Sequence, residues 1–401
     1  MNATGGAALP QLKLRRHEER RIRSGHDWVF SNEIDTGVTP LGGFGPGAAV
    51  RIVDARGAFV AHALANPHAL ICARIVSRVE AEPIGPELIR RRLEQALALR
   101  SRYLGGSHYR LVFGESDGLP GLVIDRFGDV LVAQSATWGM ERLKEDIDAA
   151  LMALLAPQLI VWKNDGNART LESLPREVTV SGGPAPETLQ VREGVLSFEV
   201  PLSDGQKTGW FYDQTANRAR LAAFLPRGAR VLDVCSYAGG WAVSALGQGA
   251  AEALCLDSSA PALEAAARNA ALNGFTLQTR RGDAFEELEA LAAEGRRFEV
   301  VIVDPPAFIK RRKDQARGEA AYRRLNALAL RVLAGEGLLV SCSCSFHLDA
   351  DMLPVLLQSA ARHAGRTLRI LASGGQSPDH PVHPAMPETR YLKALYCHVS
   401  G

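Results

Sequence analysis

A chain of 401 residues, 46% hydrophobic and 22% charged, is long enough for roughly two to four domains and has the composition of a protein that buries a core. A net charge of only +2 excludes any nucleic-acid argument from total charge, so such an argument must rest on local clusters. No run approaches the ~18 uncharged apolar residues of a membrane span, residues 1–6 carry no leader character, six cysteines are too few for a disulfide scaffold, and no second Cys or His pair sits at zinc-site spacing; the expectation is reduced thiols in a cytoplasmic setting, with no membrane and no metal.

The first eight residues read as a disordered tail. Across residues 10–80, short β-rich runs at 27–30, 48–53, 58–61 and 69–76 alternate with turn signals such as Gly42-Gly43-Phe44-Gly45-Pro46-Gly47, which predicts a small β domain. Residues 81–188 open with a helix over about 85–103, with Leu88, Leu93, Leu97 and Leu104 on one stripe. Strands follow at 109–113, 121–125 and 129–134, then a helix near 142–155 and a strand at 159–163, a small α+β domain. It closes at the linker Ser181-Gly182-Gly183-Pro184-Ala185-Pro186. Over 189–401 the rhythm changes. Continuous apolar runs at 230–235, 253–257, 300–304 and 337–341 sit between helical stretches, including the Ala-rich 260–273. Continuous rather than alternating apolar strands predict a Rossmann-like parallel sheet covered on both faces.

The first of these strands ends in Asp233-Val234-Cys235-Ser236-Tyr237-Ala238-Gly239-Gly240, where two glycines let a ligand approach the backbone. Asp257 ends the next strand 24 residues after Asp233, the place of an acid that accepts from ribose hydroxyls. The turn lacks the G-x-G-x-x-G spacing that seats a pyrophosphate on a helix N-terminus, so a nucleoside without pyrophosphate fits better than a dinucleotide. A turn serving only chain reversal is the plainer alternative. Asp283 and Asp304 end the third and fourth strands, so four carboxylates face one crevice. Asp283 is placed for an adenine amino group. Asp304 is followed by Pro305 and Pro306, which fix an extended turn rather than a capped helix.

In order, Val231-Leu232-Asp233, Tyr237-Ala238-Gly239-Gly240, Asp257, Gly282-Asp283 and Asp304-Pro305-Pro306-Ala307-Phe308 resemble the class I methyltransferases, and more closely the bacterial large-subunit ribosomal RNA cytosine-C5 methyltransferase family. Gly25-His26-Asp27-Trp28-Val29-Phe30-Ser31 is similar to the start of that family's PUA domain, and Glu115-Ser116-Asp117-Gly118-Leu119-Pro120-Gly121-Leu122 to its central domain. The segment from Gln206 to Gln214 resembles the entry to the catalytic domain, and the C-terminal stretch 378–384 also fits, so the resemblance covers nearly the whole chain. It implies S-adenosyl-L-methionine as cofactor, held by Asp233, Ser236, Tyr237, Ala238, Gly239, Gly240, Asp257, Asp283, Asp304 and Pro305, and RNA, ribosomal RNA in particular, as partner. A homodimer is allowed for.

Cytosine C5 becomes nucleophilic once a thiolate adds at C6. Aligning Gly337-Leu338-Leu339-Val340 with the corresponding strand of RNA cytosine methyltransferases puts Cys344 on their nucleophile, with Cys342 farther back. Strand alternation points both thiols the same way, so exposure depends on where the strand ends; two buried small hydrophobes are the plainer alternative. Asp304 is the expected hand on the base. Relatives of this chemistry use a second cysteine beside the Asp-Pro turn for product release; here that place holds Pro305-Pro306-Ala307, so another group must serve.

For RNA, Arg20 and Arg23 with Trp28 offer phosphate-pairing charge and a stacking surface, though Glu18-Glu19 interrupts the basic stretch. Lys310, Arg311, Arg312 and Lys313 follow the Asp-Pro-Pro turn directly, where phosphate contact is the expectation. Phe308 is a candidate stack for an extruded base, with a core position as its alternative. The resemblance also implies Lys207 and Arg218 on the same rim. Two other functions compete: methylation of an exocyclic nitrogen, which the Asp-Pro-Pro-aromatic sequence also suits and which needs no thiol, and RNA binding without catalysis on a retained fold.

Overall fold

The computed structural model describes residues 9–202 and 208–401; the expected N-terminal tail and Lys207 lie outside the described residues. The chain forms two compact units. One comprises the described residues up to Pro186, with Thr208 and Asp379–Thr389; the other comprises those from Glu187 to 202, Gly209–Pro378 and Arg390–Gly401. No helix among the described residues is long and apolar enough to cross a membrane.

The first unit is built on two five-stranded sheets. Its leading five-stranded sheet runs in the order Gln11–Lys13, Ala48–Val53, Phe59–Ala65, Ile71–Ser77, Trp28–Phe30. The buried side chains of Leu12, Ile22, Val29, Val50, Ile52, Ala63 and Ile75 form its core. The helix Pro86–Tyr103 starts with proline in its first turn, where a missing N–H loses nothing, and buries Leu88, Ile89, Leu93 and Ala96. A second five-stranded sheet orders Glu177–Ser181, Leu159–Asn164, Val130–Ser135, Leu122–Phe127, His108–Phe113. Leu64 and Val76 of the first sheet enter the second core, which is why the two layers make one unit. The segment Glu115-Ser116-Asp117 is internal scaffolding. Asp117 accepts from both terminal nitrogens of Arg100 at 2.5 and 2.9 Å, and Arg100 also donates to the Asp379 carbonyl at 2.7 Å, which holds the 379–389 segment in this unit. A buried charge left unpaired is strongly destabilising, so this arginine and aspartate require each other.

The second unit opens with an unforeseen hairpin, Thr188–Glu193 with Leu196–Pro201. Its main sheet has seven strands: β1 Arg230–Val234, β2 Glu252–Asp257, β3 Gln278–Arg281, β4 Phe298–Val303, β5 Leu333–Ser343, β6 Thr367–Gly374 and β7 Lys393–Ser400, in the spatial order 3-2-1-4-5-7-6. Strands β1 to β5 pair in parallel, and β7 pairs antiparallel with both β5 and β6. Five helices cover it: α1 Gly240–Gly247, α2 Ala260–Leu272, α3 Ala284–Ala293, α4 Gln315–Val332 and α5 Met352–His363. The continuous apolar strands are explained by the two cores. Leu232, Val234, Val301, Val303 and Leu339 pack with Leu288, Leu325 and Leu357 of α3, α4 and α5 on one face. Their neighbours Val231, Val300, Ile302, Leu338 and Val340 pack with Ala242, Ala245, Leu263 and Ala266 of α1 and α2 on the other. The Rossmann-like expectation holds. The strand-to-helix connections after β1, β2, β3 and β4 all open at the carboxyl edge, the edge where such sheets bind ligands.

Candidate active site

At the tip of β1, Asp233 is fully buried and accepts the Ala242 N–H at 3.1 Å through Oδ2, while its Oδ1 finds no hydrogen-bond partner among the described residues. Burial pushes its carboxyl up to about 8, opposed by the Ala242 hydrogen bond and reinforced by Asp304 and Asp257. The turn that follows takes left-handed backbone at Cys235 (φ 62°), Tyr237 (φ 48°) and Gly239 (φ 77°). A Cβ on Gly239 would sit 2.8 Å from the Ala266 Cβ, and one on Gly240 3.1 Å from the Trp210 ring. These glycines therefore serve helix packing as well as the turn. Ser236, Ala238, Gly239 and Gly240 are buried, whereas Tyr237 is half-buried.

Asp257 is half-buried at the tip of β2. It accepts the Tyr237 N–H and the Ser259 N–H, both at 2.9 Å, one on each carboxylate oxygen. The backbone thus fixes the orientation of the carboxylate and leaves further lone pairs for ligand hydroxyls. Asp283 is exposed and caps α3, accepting from Phe285 at 2.9 Å and Glu286 at 3.4 Å. Asp304 caps no helix. Its Oδ2 accepts from Gln214 Nε2 at 2.9 Å and Trp241 Nε1 at 3.1 Å. Burial raises its carboxyl to about 6, with the Trp241 hydrogen bond pulling down and nearby Asp213 pushing up.

The two cysteines part company. β5 ends at Ser343. Cys342 is fully buried with Val340 and Tyr396 in the core of the sheet, and burial pushes its thiol well up. Cys344 lies one residue past the strand, half-exposed, with Sγ 3.8 Å from the Pro305 carbonyl oxygen. The thiol and the Asp304-Pro305 turn are therefore neighbours. Tyr322 of α4 meets the Ser345 Oγ at 2.9 Å, and that hydroxyl also accepts the Ile309 N–H at 3.1 Å, which ties the loop after β5 to the one after β4.

Three expectations for the RNA rim need correction or fall away. Arg218 is buried rather than on a rim. It pairs with Glu193 at 2.5 Å, donates to the Phe211 carbonyl at 2.9 Å and stacks 4.9 Å from the Trp210 ring centroid. An arginine in the charged stretch Asn217-Arg218-Ala219-Arg220 reads as surface until the acid 25 residues away is seen beside it. Phe308 packs 4.8 Å from Tyr322 and 6.2 Å from Phe285 against the core, its alternative placement, and is not a free stacking face. Lys207 is outside the described residues. By contrast Lys310, Arg311 and Arg312 are exposed, with Arg311 paired locally to Asp314 at 3.0 Å. In the first unit, Arg20 and Arg23 are exposed, and Arg23 reaches Asp54 at 3.4 Å. Trp28 is half-buried, donates to Glu115 at 2.8 Å and has Arg74 5.6 Å from its ring centroid, so much of its stacking capacity is already engaged.

Gln214, Trp241 and Lys393 were not anticipated from sequence. Gln214 closes the segment whose resemblance was noted, which is the only signal it offered. Trp241 follows the glycine turn inside an apolar helix and reads as core.

Residues 175–396 match the S-adenosylmethionine-dependent methyltransferase family, and residues 12–78 the PUA-like domain. Two ribosomal RNA large subunit methyltransferase I proteins align along nearly their whole length. That of Cronobacter sakazakii is 35% identical over 397 residues, covering 97% of this chain and 99% of the relative; that of Vibrio cholerae is 34% identical over 401 residues with the same coverage. Among solved structures, a candidate methyltransferase in complex with SAH superposes with TM-score 0.82 and 18% identity, covering 97% of this chain and 100% of the other, and a candidate SAM-dependent methyltransferase from Streptococcus mutans superposes with TM-score 0.81 at the same identity and coverage. At that identity the likeness concerns the fold.

The residues present fit S-adenosylmethionine. A buried oxygen of the Asp233 carboxyl has no hydrogen-bond partner among the described residues, and Asp257 is held by two backbone amides with capacity for a diol. Removing two charge-assisted hydrogen bonds of about 1.5–3 kcal/mol each in gross terms predicts, after partial replacement by water, a loss of about 10- to 100-fold. Asp257→Ala is accordingly expected to weaken cofactor binding by that factor in isothermal titration. Unchanged affinity would remove the ribose from this carboxylate.

Proposed function

We infer, since this chain belongs to the ribosomal RNA large subunit methyltransferase I family of S-adenosylmethionine-dependent enzymes, that it methylates C5 of a cytosine in large-subunit ribosomal RNA through a covalent bond from Cys344 to C6. The observation that carries this reading is the place of Cys344: half-exposed beyond β5, beside the carbonyl that follows Asp304. Methylation of an exocyclic nitrogen gives no role to a thiol there.

Cys344 adds as the thiolate, its sulfur lone pair forming the S–C6 bond while the C5–C6 π pair becomes available at C5. Negative charge grows on N3 and O2 of the ring in this step. Asp304, raised to about 6 by burial, holds a proton to share as pH falls toward that value, and Gln214 and Trp241 fix its Oδ2 so that Oδ1 is left for the base edge. When bound, S-adenosylmethionine supplies an electrophilic sulfonium methyl, which the activated C5 takes up. Loss of the C5 proton to a base then lets the S–C6 bond break, restoring the ring double bond and returning Cys344 as thiolate. Water and polar groups of the crevice are the available acceptors, since the Asp-Pro turn has no cysteine.

Substrate contact is assigned to the exposed Lys310, Arg311 and Arg312 directly after the turn, and to Arg20 and Arg23 of the PUA-like domain. Such charges bind the phosphate backbone and leave sequence reading to other groups. The domain limits that accompany this reading are 10–80, 81–188 and 189–401, and the work belongs where ribosomes are assembled, in the cytoplasm.

The test is the identity of the product. Large-subunit ribosomal RNA lacking its native methyl groups, incubated with the protein and labelled cofactor and digested to nucleosides, is expected to release label in 5-methylcytidine. Label in an N-methylated nucleoside would replace this reading with the exocyclic-nitrogen one, and absence of label under cofactor-saturating conditions would favour RNA binding without catalysis.

A further inference from the structure

Lys393 is the first residue of β7 and stands opposite Ser343, the last residue of β5. Its ammonium donates to the Ser345 carbonyl at 2.5 Å and to the Tyr391 carbonyl at 2.8 Å. An ammonium carries three protons, so two grip the backbone and a third remains. The Ser345 carbonyl belongs to the residue directly after Cys344. We propose that Lys393 is the positioning residue of Cys344: it clamps the loop that carries the thiol and sets its positive charge against the sulfur to hold it as thiolate. This deepens the cysteine-adduct reading above and rests on it for its catalytic meaning.

Chemical need supports the assignment. A thiolate in a half-buried place is costly unless a cation or donors offset its charge. Here the acid Asp304 lies one residue from the Pro305 carbonyl that Cys344 meets, so the nearest charge on that side opposes ionisation. Tyr322 of α4 is within electrostatic reach of the same thiol and is neutral near pH 7, because burial pushes its hydroxyl further up. Lys393 is within electrostatic reach of Cys344, and also of Asp349 in the loop after β5 and Arg390 before β7. Burial draws the Lys393 amine down to about 8, with Cys344 and Asp349 pulling it up and Arg390 pushing it down. It therefore keeps its proton at pH 7. When the thiol ionises, its proton leaves to solvent and the sulfur keeps the electron pair, so nothing else is required to balance the step. Sequence offers no hint of the pairing, since Lys393 lies 49 residues beyond Cys344 and is brought near it only because β7 inserts between β5 and β6.

The experiment is alkylation of the full-length protein by iodoacetamide between pH 6 and 10, with the rate at Cys344 read from its own peptide by mass spectrometry, for the parent, Lys393→Met and Lys393→Arg. The Met variant is expected to shift the rate profile upward by one pH unit or more, which is about tenfold slower labelling at pH 7. The Arg variant, which keeps the charge, is expected to restore most of the rate. Each variant must keep the parent's unfolding midpoint; if Met does not, Lys393→Gln takes its place as the uncharged donor. A superimposable profile for the uncharged variant overturns the proposal, and so does an Arg variant as slow as the uncharged one. The readout needs no RNA. If Cys344→Ala retains methyl transfer while the alkylation profile still shifts, the adduct reading fails and the lysine–thiol pairing stands.

Discussion

Cys344→Ala is expected to abolish methyl transfer to RNA, by on the order of 10⁴-fold or more, while leaving cofactor affinity within a factor of two of the parent, a range of about 0.4 kcal/mol. The size follows from the role. Without a nucleophile at C6, cytosine C5 has no route to the electron density it must donate, and residual binding and orientation recover only a small part of the rate. Cys342 supplies the internal control. It lies two residues before Cys344 but is fully buried in the core of the sheet, where its thiol behaves as a small hydrophobe. Cys342→Ala is therefore a packing change, with turnover retained. Single-turnover assays with unmodified large-subunit ribosomal RNA, paired with isothermal titration of the cofactor, separate the two outcomes. Turnover by the Cys344 variant at a tenth of the parent rate would end the adduct mechanism.

The second large effect belongs to Asp304. Asp304→Asn keeps acceptors for Gln214 and Trp241, so the local hydrogen bonds survive, but an amide cannot pass a proton to the ring. A loss of about 10²-fold in kcat is expected, in the range found when one group that stabilises developing charge is removed. The pH dependence identifies the cause. A carboxyl raised to about 6 by burial is protonated below that value and ionised above it, so donation by Asp304 falls as pH rises through 6. Thiolate formation at Cys344 rises with pH. The parent is thus expected to show a bell-shaped kcat profile, and the Asn variant only its rising limb. A variant that keeps both limbs would assign the falling one to another group.

Much of this site was legible from residue order. Strands with continuous apolar runs must bury both faces, and the structure divides Leu232 and Val234 from their neighbour Val231 between two cores, as a parallel sheet requires. Acids at the ends of such strands collect at one edge, which made Asp233, Asp257 and Asp304 visible before any coordinates. What stayed hidden depends on contacts between distant residues. Arg218 reads as a surface cation until Glu193 is placed beside it. Asp117 and Glu115 read as part of a family signature, yet their carboxylates are occupied by Arg100, and by Arg74 and Trp28. The choice between Cys342 and Cys344 turned on where β5 ends, and strand ends are set by tertiary pairing: β7 pairs with β5 only as far as Ser343. β7 itself returns antiparallel from the end of the chain, so its register, and with it Lys393, could not be inferred from local pattern.

The direct test of a carbon-sulfur bond in the reaction is to trap it. Fluorine at C5 cannot leave as a proton does, so ribosomal RNA carrying 5-fluorocytidine should halt after methyl transfer with the base still attached to the protein. The predicted result, after nuclease and protease digestion, is one nucleotide-bearing peptide with its mass shift on Cys344, formed only in the presence of S-adenosylmethionine. A nucleotide found on another residue, or none at all under conditions where ordinary RNA is methylated, would contradict it.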